Sequence, residues 1–80
     1  MRLTYDPRYN VAYIRLREET TQVETLRISD ELNIDLSPDG QVCGIELLNA
    51  NEQLLQPDQG KLLVSNTQTG AHWERMVATA

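Results

Sequence analysis

The sequence contains one cysteine, one histidine and one tryptophan in 80 residues, and each scarcity removes a class of chemistry. With Cys43 alone, no intrachain disulfide and no cysteine-based metal cage can form, so a reducing compartment is the natural setting. With His72 alone, two-histidine chemistry is excluded within one protomer, and its neighbour Trp73 points to a packed or surface role. No apolar run approaches the roughly 20 residues of a membrane-spanning helix. The start Met1-Arg2-Leu3-Thr4-Tyr5-Asp6 has no apolar signal region, so the expectation is a cytoplasmic chain without a membrane partner.

Positive charge is also scarce. Seven basic residues stand against twelve acidic ones, a formal net charge of -5. Such a surface repels phosphate backbones, and Glu18, Glu19 and Glu24 sit beside the arginines at 15, 17 and 27 that would have to attract them. This balance disfavours nucleic acid. Gly40 and Gly44 lack phosphate-loop spacing, so no nucleotide or other cofactor is expected.

What is present is period-two alternation. Leu3-Thr4-Tyr5 is a short strand ended by Asp6-Pro7, where Pro7 forbids a ladder hydrogen bond and Asp6 can accept amides from the following turn. Asn10 can close that turn in a left-handed conformation. Val11 to Arg17 places Ala12, Ile14 and Leu16 on one face and Val11, Tyr13, Arg15 and Arg17 on the other. After a polar loop from Glu18 to Gln22, a third strand near 23–28 carries Leu26 and Ile28 on the inward parity. Leu32, Ile34 and Leu36 alternate with polar residues, Ser37-Pro38-Asp39-Gly40 supplies a turn, and Val42 to Leu48 resumes the β pattern.

Closing that turn between Leu36 and Gln41 pairs Ile34 with Cys43 and Leu32 with Ile45. It puts Asp35 beside Val42, Asn33 beside Gly44 and Glu31 beside Glu46. Gly40 should take a positive φ, and Gly44 within a strand indicates a bulge or a close backbone approach. Cys43 falls on the inward face, which favours an inert apolar thiol. A short helix starts near Asn49 or Asn51, with Asn51 as its cap, and stops before Pro57. Lys61 to Ser65 is then a sixth, edge strand, Asn66 to Gly70 a turn, and His72 to Ala78 a short helix or ordered tail.

These elements make one domain over residues 1–80. The expected class is α+β, an antiparallel β-meander of four to six strands with one or two short helices, with a mainly β fold as the alternative.

The segments Leu3-Thr4-Tyr5-Asp6-Pro7, Val11-Ala12-Tyr13-Ile14, Ile34-Asp35 and Gly40 through Ala50 (GQVCGIELLNA) occur in an order that resembles DUF2283, a family of small uncharacterised bacterial and archaeal proteins. The resemblance covers roughly residues 1–51. It implies a small β-rich domain, with members often encoded as short stand-alone proteins, and carries no established activity. Asn10 stands where the family usually has aspartate, and Ala12 where leucine is common. The first departure removes a carboxylate that would otherwise join Asp6. Residues 52–80, a short helix, an extra strand and a C-terminal extension, lie outside the resemblance.

Two functional readings follow from the residues. One is a small structural or protein-interaction domain, a homodimer or the accessory member of a two-protein module, using outward apolar side chains at Val11, Tyr13, Val42, Leu48, Leu62, Val64 and Trp73. The other is a divalent-cation-binding or hydrolytic domain built on the carboxylates Asp6, Asp35 and Glu46. A thin sheet offers little cleft, so the first reading leads and no catalytic residue is assigned.

Overall fold

Alternation becomes strand wherever turn chemistry brackets it. The computed structural model describes residues 1–18 and 22–77. Its strands are β1 (Arg2–Asp6), β2 (Val11–Arg15), β3 (Glu24–Ser29), β4 (Leu32–Leu36), β5 (Val42–Leu48), β6 (Lys61–Ser65) and β7 (His72–Met76). Between β5 and β6 lie one wide helical turn, Asn51–Leu55, and one tight turn, Pro57–Gly60. The protein is therefore mostly antiparallel β, and the α+β expectation is corrected. The segment before Pro57 is too short to make a packing helix, and proline cannot extend it. Residues 19–21 of the expected polar loop, and the tail from Ala78 onward, lie outside the described residues.

The five-stranded sheet runs β1-β2-β5-β4-β3 with every neighbour antiparallel. This is not a simple meander. A β1–β2 hairpin and a β3–β4–β5 meander join through the β2–β5 ladder, which puts β3 on the far edge. The reason lies in composition. β5 carries the buried pair Cys43 and Gly44 and needs neighbours on both sides, whereas every residue of β3 is exposed and suits an edge.

The β4–β5 register differs from the expected one by two residues. Leu32 pairs with Leu47, Ile34 with Ile45, Asp35 with Gly44 and Leu36 with Val42, with an irregularity after Asp35. Two single-residue changes add up. The loop is one residue longer, closed by the Ser37 amide on the Gln41 carbonyl at 2.9 Å, and Cys43 is an extra residue at the bulge. A shift of two preserves parity, so the expected inward set survives while its partners change. Gly40 has the positive φ its turn requires, +85°.

The turns obey local chemistry elsewhere too. The Asp6 carboxylate accepts the Arg8 amide at 2.9 Å, and Asn10 closes the β1–β2 turn at φ 58°. Asn51 is not a side-chain cap: its Oδ1 accepts the Tyr5 hydroxyl, and its own amide donates to Asn10 Oδ1 at 2.6 Å. The end of the sheet is thus stitched to the segment that leaves it.

After Gly60 the chain makes a separate hairpin. β6 is not an edge strand of the main sheet, and residues 72–76 are neither helix nor tail; the two pair with each other from Lys61↔Met76 to Ser65↔His72. The polar link between them is a turn built on Asn66, whose Oδ1 accepts the Gln68 and Thr69 amides, and Gly70 follows at φ +81°. With such a turn, two short strands zip locally sooner than either joins a distant edge. No helix among the described residues is long and apolar enough to cross a membrane.

Among the described residues the fully buried apolar ones are few: Ala12, Cys43 and Ala50. Cys43 is 1% exposed. Its thiol should therefore react with a maleimide at least about a hundredfold more slowly in the native chain than in denaturant, since reaction requires opening of β5. Timed alkylation read by mass spectrometry measures this; native and denatured rates within a few-fold of each other would refute the placement.

Candidate interaction surface

Strand pairing sorts the side chains of the main sheet onto two faces of opposite chemistry. On one face the row Thr4, Tyr13, Glu46, Asn33 and Arg27 crosses all five strands, next to the row Arg2, Arg15, Gly44, Asp35 and Thr25. On the other face the central row is Leu3, Ile14, Ile45, Ile34 and Leu26, flanked by Tyr5, Ala12, Leu47 and Leu32.

The polar face is closed by its own hydrogen bonds. The Tyr13 ring lies over Gly44, where a methyl group would overlap its hydroxyl and ring, and this is why β5 tolerates a glycine in mid-strand. Passing over β5, the Tyr13 hydroxyl donates to Asp35 Oδ2 on β4 at 2.7 Å, and Thr25 of β3 donates to Asp35 Oδ1 at 2.6 Å. The Arg15 guanidinium stands 5.4 Å from the Tyr13 ring centre. Alongside, Asn33 donates to Glu46 Oε1 at 2.8 Å. Burial, and then the hydrogen bond to the Asp35 carboxylate, pushes the Tyr13 phenol up to about 12.

The carboxylates of the cation-binding reading each have their own partner. Asp35 is held by Tyr13 and Thr25, and Glu46 by Asn33. Asp6 pairs with Arg8 at 3.4 Å, and the side-chain hydrogen bond from Arg8 holds its carboxyl below the usual value. Asp35 and Glu46 are diagonal neighbours, because Asp35 pairs with Gly44, while Asp6 pairs with Val11 at the outer end of β1. Among the described residues no three groups of metal-ligating type come together. An open groove of about 350 Å³ between the start of β3 and the 37–41 loop holds one carboxylate, Glu24, and Ser37, whose hydroxyl is bonded to Asp39.

The apolar face has the opposite character. Its rim residues Leu3, Leu16 and Leu26 are each more than a third exposed, Ile28 at the β3 irregularity is 54% exposed, and the central Ile14, Ile34 and Ile45 are only half-buried. The Asn51–Leu55 turn is anchored at the Tyr5 end of this face and is too short to cover the remainder. Full burial of a leucine or isoleucine is worth about 1.5–3 kcal/mol, so much of that stabilisation is unrealised in one copy.

Of the residues expected to make contacts, Val11 and Leu48 pair with each other at one end of the polar face, Tyr13 is engaged by Asp35, and Val42 is drawn opposite Leu36 by the bulge. Leu62, Val64 and Trp73 do share a surface: Val64 pairs with Trp73, and Leu62 lies two residues from Val64 on the same side of the hairpin. The residues missed are Leu3, which the pattern assigns only to a strand, and Leu16 and Leu26, which it reads as inward. The available signal was the lack of any segment long enough to cover them.

A family model described as "Protein of unknown function (DUF2283)" matches residues 2–51, which span the whole five-stranded sheet. The chain belongs to the DUF2283 family. No curated protein and no solved structure matches the chain. The DUF2283 region is thus the two-faced sheet and the start of its anchoring turn, and the β6–β7 hairpin lies beyond it.

Two predictions test the polar face. Gly44→Ala must displace the Tyr13 ring and should cost about 1–3 kcal/mol, while Tyr13→Ala should make the same glycine substitution nearly free. Denaturant unfolding of the single and double variants measures the coupling, and full additivity would count against the contact. Titration gives the second. A phenol whose folded pKa is raised stabilises the fold fully below its ordinary value near 10 and loses that contribution as pH climbs to about 12. Phenolate absorbance should show Tyr13 titrating late in the native chain, and earlier after Asp35→Asn.

Proposed function

We propose that this protein is an association domain whose apolar sheet face is its working surface, and that the partner is a second copy of the chain. One observation carries the reading: the five-residue row Leu3, Ile14, Ile45, Ile34, Leu26 spans the sheet, and among the described residues no layer covers it. Domains are built from at least two packed layers because a single sheet leaves one apolar face wet. The accessible surface agrees in magnitude. It is 6103 Å², against about 4,900 Å² for a compact monomer of this mass. The difference, about 1,200 Å² per chain, exceeds the roughly 800 Å² that each partner buries in a standard interface.

The polar face supports the same choice by contrast, because Tyr13, Thr25 and Asp35, and Asn33 with Glu46, are hydrogen-bonded to one another within one copy. A single buried thiol fits a reducing, cytoplasmic setting in which assembly, not bridging, supplies the missing stability.

Light scattering across a dilution series tests the proposal. The full chain should have the mass of two copies at about 100 μM, far above a micromolar dissociation constant. Leu16→Glu with Leu26→Glu, both at exposed positions, should weaken the dimer at least about a hundredfold while circular dichroism still reports the sheet. A wild-type chain that is monomeric at that concentration would overturn the reading.

A further inference from the structure

We infer that the open sheet face of one copy is covered by the β6–β7 hairpin of the other, each chain lending its hairpin in a reciprocal, twofold exchange. The inference rests on the association reading above and names what fills the face.

The hairpin cannot account for itself as a free element. An isolated two-stranded hairpin is marginal in water, and this one presents Leu62, Val64 and Trp73 on one side, with Arg75 opposite Leu62 at its end and Trp73 half exposed. Its apolar side is not seated on its own sheet: Leu62 is 47% exposed, and Leu16 and Leu26 on the sheet remain more than a third exposed. Two apolar surfaces of one chain thus face water separately.

The connection between them is itself unusual. Asp58, Gln59 and Gly60 follow one another at φ 50°, 57° and 80°, a left-handed run at the root of the hairpin. Non-glycine residues in that region are strained and persist where surrounding structure over-determines them. A hairpin seated on a neighbouring molecule supplies that determination. The overall shape agrees, with a radius of gyration of 14.1 Å against about 12 Å for a compact chain of this length.

The dimensions fit. Five strands at about 4.8 Å spacing make a face roughly 19 Å wide, and a five-residue strand is about 17 Å long. The hairpin therefore lies within the face when packed at the usual sheet-to-sheet distance of about 10 Å. Reciprocal exchange buries both surfaces twice, and twice the excess area of about 1,200 Å² falls within the range of obligate homodimers.

A complementation experiment decides the matter. One full-length chain carries Leu62→Glu with Trp73→Glu in the hairpin; the other carries Leu16→Glu with Leu26→Glu on the sheet. Each alone should be monomeric with its sheet intact by circular dichroism. Mixed, they should form a dimer through the one intact pairing, the hairpin of the sheet variant on the face of the hairpin variant. Trp73 of the sheet variant is then the only tryptophan present, and its emission should move to shorter wavelength on mixing.

A mixture that stays monomeric, with unshifted emission, overturns the exchange. A hairpin variant that still dimerises while the sheet variant does not overturns the hairpin as occupant and leaves the association reading standing; a monomeric wild type overturns both. Wild-type dilution provides a measurement free of any variant. Trp73 emission should shift to longer wavelength in step with dissociation, and dissociation without that shift counts against the exchange.

Discussion

The ladder between β2 and β5 holds the sheet together. The β1–β2 hairpin and the β3–β4–β5 meander each form from residues near one another in the chain, and this ladder pairs them into one sheet, Val11 with Leu48 and Ile14 with Ile45. Closing so long a loop costs entropy that local turns do not repay. Tyr13 offsets part of it by spanning three strands: it starts on β2, covers Gly44 on β5 and bonds Asp35 on β4, where Thr25 of β3 arrives from the other side. A side chain at position 44 would close that path, so the glycine is a condition of the Tyr13–Asp35 contact. The apolar row from Leu3 to Leu26 is continuous for the same reason, since β5 stands between the two units.

Much of this was legible in the residues, and the boundary of legibility has a physical cause. Parity is local, so the inward set Ile14, Leu26, Leu32, Ile34 and Ile45 could be read correctly from alternation. Turn chemistry is local too, which is why Gly40, Asn10 and the Asp6-Pro7 break behave as their residue types demand. Register is set by loop length plus any bulge; each changed the β4–β5 pairing by one residue, and the two together restore parity, so the error was invisible to the hydrophobic pattern. Strand order depends on which edge can be left bare, a property of the whole sheet. Gly44 carried a readable hint of close approach, but the partner, Tyr13, lay on a strand whose adjacency no local pattern reveals.

The same locality explains why the apolar face was mistaken for a core. Alternation tells which side chains share a face and says nothing about whether a second layer exists. Lys61 to Ser65 reads as an edge strand, and His72 to Ala78 as a short helix or ordered tail because Trp73 and Met76 fit either. The Asn66–Gly70 turn settles the local outcome by pairing β6 with β7. Once these strands satisfy each other, the hairpin is a finished two-stranded unit with an apolar side and no further need of the edges of its own sheet.

The contrast between the two faces determines how any assembly of this sheet must be arranged. A surface drives association when its groups gain more from a partner than from water, and paired polar groups gain little. On the polar face Asp35, Glu46 and Tyr13 already hold their partners, so covering that face would exchange satisfied hydrogen bonds for equivalent ones. On the opposite face each half-exposed leucine or isoleucine gains by burial, with no polar partner to lose. Charge acts in the same direction: a chain of net charge -5 repels its copies at long range, so contact must come through a surface whose gain is large and short-ranged. Only the row from Leu3 to Leu26 combines breadth, continuity and absence of charge. The interaction that builds the sheet, Tyr13 reaching Asp35 across Gly44, therefore also sets the contrast between the faces, because it satisfies one and leaves the other, among the described residues, as the large apolar surface of the sheet.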